Sequence, residues 1–345
     1  MKTINIECNY FSAWPGWPEH RTAIIAEIGM NHGGDDALAW ELIETAQENG
    51  ADFIKLQSFV TEEFFHPSVP YFLSTKAMEL SFESQGKLFR KAQSLNIKLI
   101  TTPFDFKSVD LAEEFDPVAH KIASMDNDNI PLITYIAEKK RPVLASCGMA
   151  NLSEIEKIVT IMKRAGNNKL ILLHCVSDYP TTPDHLNLAM IDFLRSTFKV
   201  PVGLSDHSLG LYSSFTAASL GAAVIEKHFT TDKALHEKFP DADHNISIEP
   251  HELKELRRFC EEVPIMIGIA PRALTENETI GRSDFRRGLY CKKDIAEGEI
   301  ISLENTILLR PVKGIAAGAW DYVCGKKAKR NIFKNNPIFY SDLGL

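Results

Sequence analysis

Six ionisable side chains fall at or near the ends of short β-branched runs: Glu27, Lys55, Lys121, His207, Glu226 and His228. Lys55 and Lys121, with the hydroxyls of Thr102, Ser124, Ser146 and Ser205, describe a pocket for a phosphate or carboxylate anion. His207 and His228, flanked by Asp206 and Glu226, offer two imidazoles that suit a divalent cation. Mn²⁺ fits first, with Mg²⁺, Co²⁺ or Zn²⁺ as alternatives. Each residue taken alone has a plainer reading. A lysine can reach solvent along its stem or pair with Glu27 or Asp126, and a single buried histidine such as His32 or His174 reads first as a hydrogen-bonded core residue. The combination is what points to chemistry.

These groups need a scaffold that brings them together, and the spacing of the apolar runs supplies one. Eight strand candidates appear: 23–29, 53–58, 98–104, 120–124, 142–148, 170–175, 200–207 and 224–230. Segments of helical period lie between them, for instance 36–49, 76–95, 153–165, 185–198 and 211–220. Gly50 and Gly221 close two of these helices, and Ser153 with Glu156 reads as a capping box. Strands separated by helices pair in parallel, and eight such units close into a (β/α)₈ TIM barrel of about 250 residues. An open doubly wound sheet is the alternative, but the first turn, Gly29-Met30-Asn31-His32-Gly33-Gly34, lacks the G-x-G-x-x-G phosphate loop.

Parallel strands buried on both faces should be nearly all apolar. Here their C-terminal ends carry Glu27, Lys55, Gln57, Thr101, Thr102, Lys121, Ser124, Ser146, His174, Ser205, His207, Glu226 and His228. The period of two places Lys55 with Gln57, Ser205 with His207, and Glu226 with His228 on common faces. Burying unpaired charge is costly, so this accumulation at one rim implies a ligand or metal that offsets it. Active sites of such barrels lie at that rim.

The barrel accounts for residues 1–263 of the 345-residue chain. Residues 264–282 read as a linker, and 283–345 as a small all-β module with strands near 287–291, 295–301 and 308–315. A core that small is marginal, so the module is expected to dock on something. With a net charge of −8 and scattered basic residues, the chain is not expected to bind nucleic acid. No apolar run approaches the roughly 18 residues of a membrane span, and residues 1–7 lack a signal-peptide core. A cytoplasmic location follows as the expectation. The six dispersed cysteines read as reduced thiols. The aromatic opening, Tyr10 to Pro18, reads as a plug for the barrel bottom or a subunit contact.

Several segments resemble the sialic acid (N-acetylneuraminate) synthase family, which includes legionaminic and pseudaminic acid synthases. They are Ala26-Glu27-Ile28-Gly29-Met30-Asn31-His32-Gly33-Gly34, Ala51-Asp52-Phe53-Ile54-Lys55-Leu56-Gln57, Thr102-Pro103-Phe104-Asp105, Lys121-Ile122-Ala123-Ser124, Leu204-Ser205-Asp206-His207-Ser208 and Glu226-Lys227-His228-Phe229-Thr230. From about Ser283 the chain resembles that family's antifreeze-like (SAF) domain. The resemblance implies a phosphoenolpyruvate-dependent condensation with an N-acylated mannosamine-type sugar, giving a nine-carbon 2-keto acid and phosphate. It implies that His207 and His228 hold the metal, and that Lys55, Lys121, Ser124, Thr102, Ser146 and Ser205 bind phosphoenolpyruvate. Glu27, Gln57, Tyr179 and Asp243 then contact the sugar, with Ser177 beside them, and Arg310 reaches the partner's barrel in a domain-swapped homodimer. Glu27 is the candidate for proton transfer or for positioning the sugar oxygen. The alternatives are a diacetamido-trideoxy hexose as acceptor, a synthase of shorter 3-deoxy sugar acids, or a non-catalytic carbohydrate-binding protein. The chain departs from the family pattern at Cys147, at Asp178 and in the long loop 233–244, which is where acceptor choice is expected to be written.

Overall fold

The computed structural model describes Trp17, Pro18 and residues 20–345. Residues 1–7, Cys8 and most of the aromatic opening, read above for targeting, redox state and packing, lie outside the described residues. Two compact units divide the chain, Met1–Gly268 and Ile269–Leu345.

In the first unit eight parallel strands close in chain order: β1 (Ala23–Gly29), β2 (Phe53–Ser58), β3 (Leu99–Pro103), β4 (His120–Ile122), β5 (Val143–Ser146), β6 (Leu170–Cys175), β7 (Val202–Asp206) and β8 (Val224–His228). β8 returns to β1, with Glu27 opposite His228. The fold is the expected (β/α)₈ barrel. Alternation along the strands divides its contents. Ile25, Phe53, Ile100, Leu144, Ile171 and Val224 fill the lower lumen, while the residues two places on, from Glu27 and Lys55 to Glu226, occupy its upper end. Trp17 plugs the bottom, its ring 5.3 Å from that of Phe53. The opposite strand faces, with Ile24, Ile28, Ile54 and Leu56 among them, pack outward on the helices.

Those helices are α1 (Asp36–Glu48), α2 (Thr61–Phe64), α3 (Phe72–Met78), α4 (Phe82–Ser94), α5 (Phe106–Glu113), α6 (Ile130–Glu138), α7 (Leu152–Arg164), α8 (Met190–Phe198), α9 (Tyr212–Ser219) and α10 (Pro250–Ile267). Gly50 and Gly221 follow α1 and α9 with positive φ, as the sequence predicts. Two local expectations fail for identifiable reasons. The helix expected over 76–95 is split, because the Ser81 side chain accepts from Ser84 N and starts α4 afresh. The capping box of α7 is built by Asn151 and Glu154, not Ser153 and Glu156, since Asn151 takes the amides of Ser153 and Glu154. Pro264 lies inside α10, which runs on to Ile267. No described helix is long and apolar enough to cross a membrane.

The second unit opens with α11 (Glu276–Phe285), so residues 264–282 hold the last turn of α10 and most of α11. It then pairs β9 (Gly288–Cys291) with antiparallel β10 (Thr306–Leu309). Single bridges such as Ile295↔Ile332 and Ile300↔Lys327 stand where longer strands were expected. Leu289, Ile295, Ile301, Ile315, Ile332 and Ile338 form its core.

Candidate active site

A cavity of about 430 Å³ opens at the C-terminal ends of the strands, within the size range of small-molecule sites. Its floor alternates two lysines and two carboxylates, all buried. Lys55 Nζ sits 2.6 Å from Glu27 Oε2, donates to Thr102 Oγ1 at 3.0 Å and lies 3.8 Å from Glu226 Oε2. Lys121 Nζ donates to Ser146 Oγ at 2.6 Å and lies 3.6 Å from Glu226 Oε1. Ser205 Oγ donates to the same Glu226 oxygen at 3.0 Å, and Gln57 Nε2 donates to Glu27 Oε1 at 2.9 Å.

The two carboxylates are driven apart in acidity. Burial, reinforced by repulsion from Glu226, raises the pKa of Glu27 despite the neighbouring Lys55. For Glu226 burial acts the same way, but Lys121 and Lys55 together overcome it and hold the pKa at about 2. A pair of carboxyls separated in this way divides into a proton carrier and a permanent charge. The lysines split as well. Burial lowers the pKa of Lys121, whereas Glu226 and Glu27 outweigh burial at Lys55 and raise it.

Beside this floor an anion cradle forms. Gly148 N donates to Ser124 Oγ at 3.1 Å, and the Ser177 hydroxyl is buried with no hydrogen-bond partner. A Cβ on Gly148 would stand 2.4 Å from Ser177 Oγ and 2.6 Å from Ser124 Oγ, so only glycine lets the two hydroxyls share this space.

The rings of His207 and His228 stand 5.5 Å apart. His207 Nδ1 bonds the Val176 carbonyl at 2.8 Å, which leaves its other nitrogen for a ligand and is the usual outer bond of a metal-binding histidine. His228 Nδ1 is buried without a hydrogen bond, and Asp243 Oδ2 lies 3.5 Å from it. Burial lowers the His228 pKa to about 4, so the imidazole is neutral and its lone pair free. Two neutral-capable imidazoles, one carboxylate and an orphaned nitrogen fit a divalent cation. A second trio, Glu249, His251 and Glu252, also brings ligand atoms within 4.8 Å of one another at the start of α10. Its carboxylates are already engaged: Lys233 N donates to Glu249 Oε1 at 3.1 Å and Lys233 Nζ to Glu252 Oε2 at 3.0 Å.

Every barrel residue expected in the site lines this one cavity: Glu27, Lys55, Gln57, Thr102, Lys121, Ser124, Ser146, Ser177, Tyr179, Ser205, His207, His228 and Asp243. Arg310 belongs to the second unit, where it is exposed just after β10. Two of the polar strand ends do not reach the mouth. Thr101 faces outward and bonds Ser58 Oγ at 2.6 Å, because its neighbour Thr102 takes the inward phase. His174 bonds the Leu186 carbonyl at 2.7 Å, which is the core role read for it above.

The departures from the family pattern also resolve. Cys147 is buried among the outward core residues, so its thiol replaces nothing in the cavity. Asp178 turns away to His185 at 3.0 Å and does not line the cavity. The long loop does reach it, through Asp241 and Asp243. Asn31 anchors that loop, accepting from Asp243 N at 2.9 Å and donating to Ser247 Oγ at 2.9 Å.

Sequence reasoning assigned no role to two features. Glu226 was read as a polar strand end and a flank of His228, yet it bridges both lysines; its place two residues before His228 was the available signal. The second is an apolar wall built by Met30, Phe64, Phe65, Tyr71, Met78 and Phe104. Phe64 stacks on Phe104 at 4.3 Å and lies 4.0 Å from Phe65, which meets Tyr71 edge-on at 4.9 Å. Adjacent phenylalanines in the loop after a barrel strand were its only trace in the sequence.

Residues 42–270 match the NeuB family and residues 286–344 the SAF domain. An N,N'-diacetyllegionaminic acid synthase of Campylobacter jejuni is 38% identical over 327 residues, spanning 90% of this chain and 97% of its own. A pseudaminic acid synthase from another strain of that species is 34% identical over 338 residues, spanning 94% and 97%. Among solved structures, the N-acetylneuraminic acid (sialic acid) synthetase of Leptospira borgpetersenii in complex with citrate is similar with a TM-score of 0.70. It is 36% identical and covers 75% of this chain and 90% of its own.

Proposed function

The chain belongs to the NeuB family, and we infer from its cavity how it acts: it is a synthase that joins phosphoenolpyruvate to an N-acylated mannosamine-type sugar, giving a nonulosonic acid and phosphate. The observation that carries this reading is the buried floor of Lys55, Lys121, Glu27 and Glu226 beside the Ser124, Ser177 and Gly148 cradle. The two lysines hold Glu226 ionised while burial pushes Glu27 toward its acid form, so the floor leans toward positive charge, which suits the dianion of phosphoenolpyruvate.

Lys55 and Lys121 hold phosphate and carboxylate charge in place and stabilise it as it shifts. The hydroxyls of Thr102, Ser124, Ser146 and Ser205 orient the same ligand. Carbon 3 of phosphoenolpyruvate attacks the open-chain aldehyde of the sugar, water adds to carbon 2, and the resulting hemiketal phosphate expels phosphate. Glu27, held by Gln57 and Lys55, carries the proton exchanged with the sugar oxygen. Asp243 and Tyr179 contact the sugar. His207 and His228 would hold a divalent cation, most simply Mn²⁺, which would supply Lewis-acid polarisation of the acceptor carbonyl. Arg310 completes the site from the partner's small module in a homodimer.

The apolar wall favours a second reading of the acceptor. A sugar hydroxyl pressed on the Phe64, Phe65 and Tyr71 rings loses its water, whereas a methyl or acetamido methyl gains by burial. The wall therefore suits a diacetamido-trideoxy hexose better than N-acetylmannosamine. Phosphate release from phosphoenolpyruvate, assayed with each sugar and with neither, tests both readings. Release that needs no sugar, or that neither sugar supports, rejects the synthase. Equal kcat/KM for the two sugars rejects the role given to the wall.

A further inference from the structure

The reaction makes no use of the most deeply buried ion pair in the barrel. Lys227 precedes His228 on β8, Asp206 precedes His207 at the end of β7, and the two are register partners across those strands. Alternation turns both away from the cavity toward α9, where Lys227 is 1% and Asp206 2% exposed. Lys227 Nζ lies 3.0 Å from Asp206 Oδ2 and also donates to the Ser208 carbonyl. The Asp206 carboxylate further accepts from Ser208 N at 2.9 Å, Ser208 Oγ at 2.7 Å, Ser213 Oγ at 2.5 Å and Ser214 Oγ at 2.6 Å.

A buried ion pair contributes little net stability, and two apolar residues of similar volume commonly do as well. What an apolar pair would not supply is the tie itself. One ammonium holds the residue before His207 by its side chain and the residue after it by its backbone carbonyl. That ammonium belongs to the residue directly before His228. The backbones that carry both imidazoles are thereby locked to each other from behind. Ser213 and Ser214, in the first turn of α9, brace the same carboxylate from the helix.

We propose that Asp206 and Lys227 are a positioning pair, which sets the spacing and direction of His207 and His228 for a divalent cation. The inference rests on reading those two histidines as the metal ligands. Residues in this outer layer typically change metal affinity by about 10- to 100-fold, and that is the effect expected here.

The test titrates Mn²⁺ into the full-length protein and follows the free ion by electron paramagnetic resonance, with thermal melts of each variant alongside. Asp206→Asn with Lys227→Met removes both charges together, leaves no unpaired buried ion, and keeps an acceptor for the serines. The expected result is a melting temperature near that of the wild type, Mn²⁺ affinity lower by about 10-fold or more, and an unchanged KM for phosphoenolpyruvate. A folded double variant with wild-type Mn²⁺ affinity overturns the proposal. Should that variant not fold, Ser214→Ala decides, since it takes one donor from Asp206 without touching a charge: undiminished affinity overturns the proposal, and a smaller loss in the same direction upholds it. A wild type that binds no Mn²⁺, or His207→Ala that binds it undiminished, removes the metal reading and the positioning pair with it.

Discussion

At the scale of single residues, the cavity floor separates two carboxyls that composition alone would treat as equals. Glu226 stays charged because two lysines face it, and Glu27 is pushed toward its acid form by burial and by Glu226 itself. Glu27→Gln keeps the hydrogen-bonding shape and removes the exchangeable proton. It is expected to lower kcat by about 10²- to 10⁴-fold while leaving the KM for phosphoenolpyruvate nearly unchanged, as steady-state kinetics would read; unchanged kcat rejects the proton-carrying role. Lys121 makes a prediction in pH. Its pKa is lowered by burial, and a lowered lysine pKa means the charged form is lost sooner as pH rises. The KM for phosphoenolpyruvate should therefore climb at a pH below the 10.5 of an ordinary lysine. Lys121→Arg, whose charge persists beyond about pH 12, should move that limb upward, and a limb that stays in place assigns it to another group. The sequence made these residues visible because charges have no business inside a barrel of parallel strands. It did not show that Glu226 touches both lysines, because that contact depends on how far the strands are staggered, which no spacing within one strand encodes.

At the scale of elements, the strands were the most legible part of the molecule. Three of the eight, β1, β2 and β6, have the limits that the apolar runs give them, and the others end one or two residues sooner, with β3, β5 and β7 also beginning one or two residues later. Period-two alternation also told which residue of most polar pairs faces the lumen; at Thr101 and Thr102 two adjacent threonines left the phase open until the fold was closed. Helix limits were harder, since they are decided by local side-chain caps, one hydrogen bond at Ser81 and a capping box at Asn151. The loops that shape the acceptor end were least legible, because they are fixed by contacts between segments far apart in the chain. Gly33 is the sharpest case. It has a φ of +55° and its missing Cβ would stand 2.2 Å from the Phe239 ring, so the loop after β1 makes room for the loop after β8. Gly33→Ala should push Phe239 and the neighbouring Asp243 outward. Misplacement of this kind costs about 10- to 100-fold in kcat/KM for the sugar, with the KM for phosphoenolpyruvate unchanged. Adding Phe239→Ala to Gly33→Ala should restore part of the loss, and equal losses in the single and double variants would show that the two loops do not act through this contact.

At the scale of the whole molecule, charge is distributed unevenly. Residues 286–344 carry eleven Lys and Arg against six Asp and Glu, a net +5, in a chain of −8 overall, so the remainder carries −13. Attraction between oppositely charged exposed surfaces weakens with salt, so the proposed homodimer, with the small module meeting the barrel of a second copy, is expected to loosen as ionic strength rises. If Arg310 completes the partner's site, then each active site is shared between two chains, and variants damaged in different parts should complement one another. His207→Ala spoils the barrel and spares the module; Arg310→Ala does the reverse, since Arg310 is exposed and its loss leaves the cores intact. A mixed dimer then contains one site with both parts damaged and one with both parts whole. After subunit exchange, half of the dimers are mixed and each has one working site of two, so activity should recover to about a quarter of the wild-type value per chain. The measurement is phosphate release before and after exchange, with mixed dimers verified by tagging one variant. Recovery above the sum of the two separate variants supports a site built in trans. Verified mixed dimers without that gain would mean that Arg310 serves its own barrel or none, and the small module would then have to owe its retention to assembly alone.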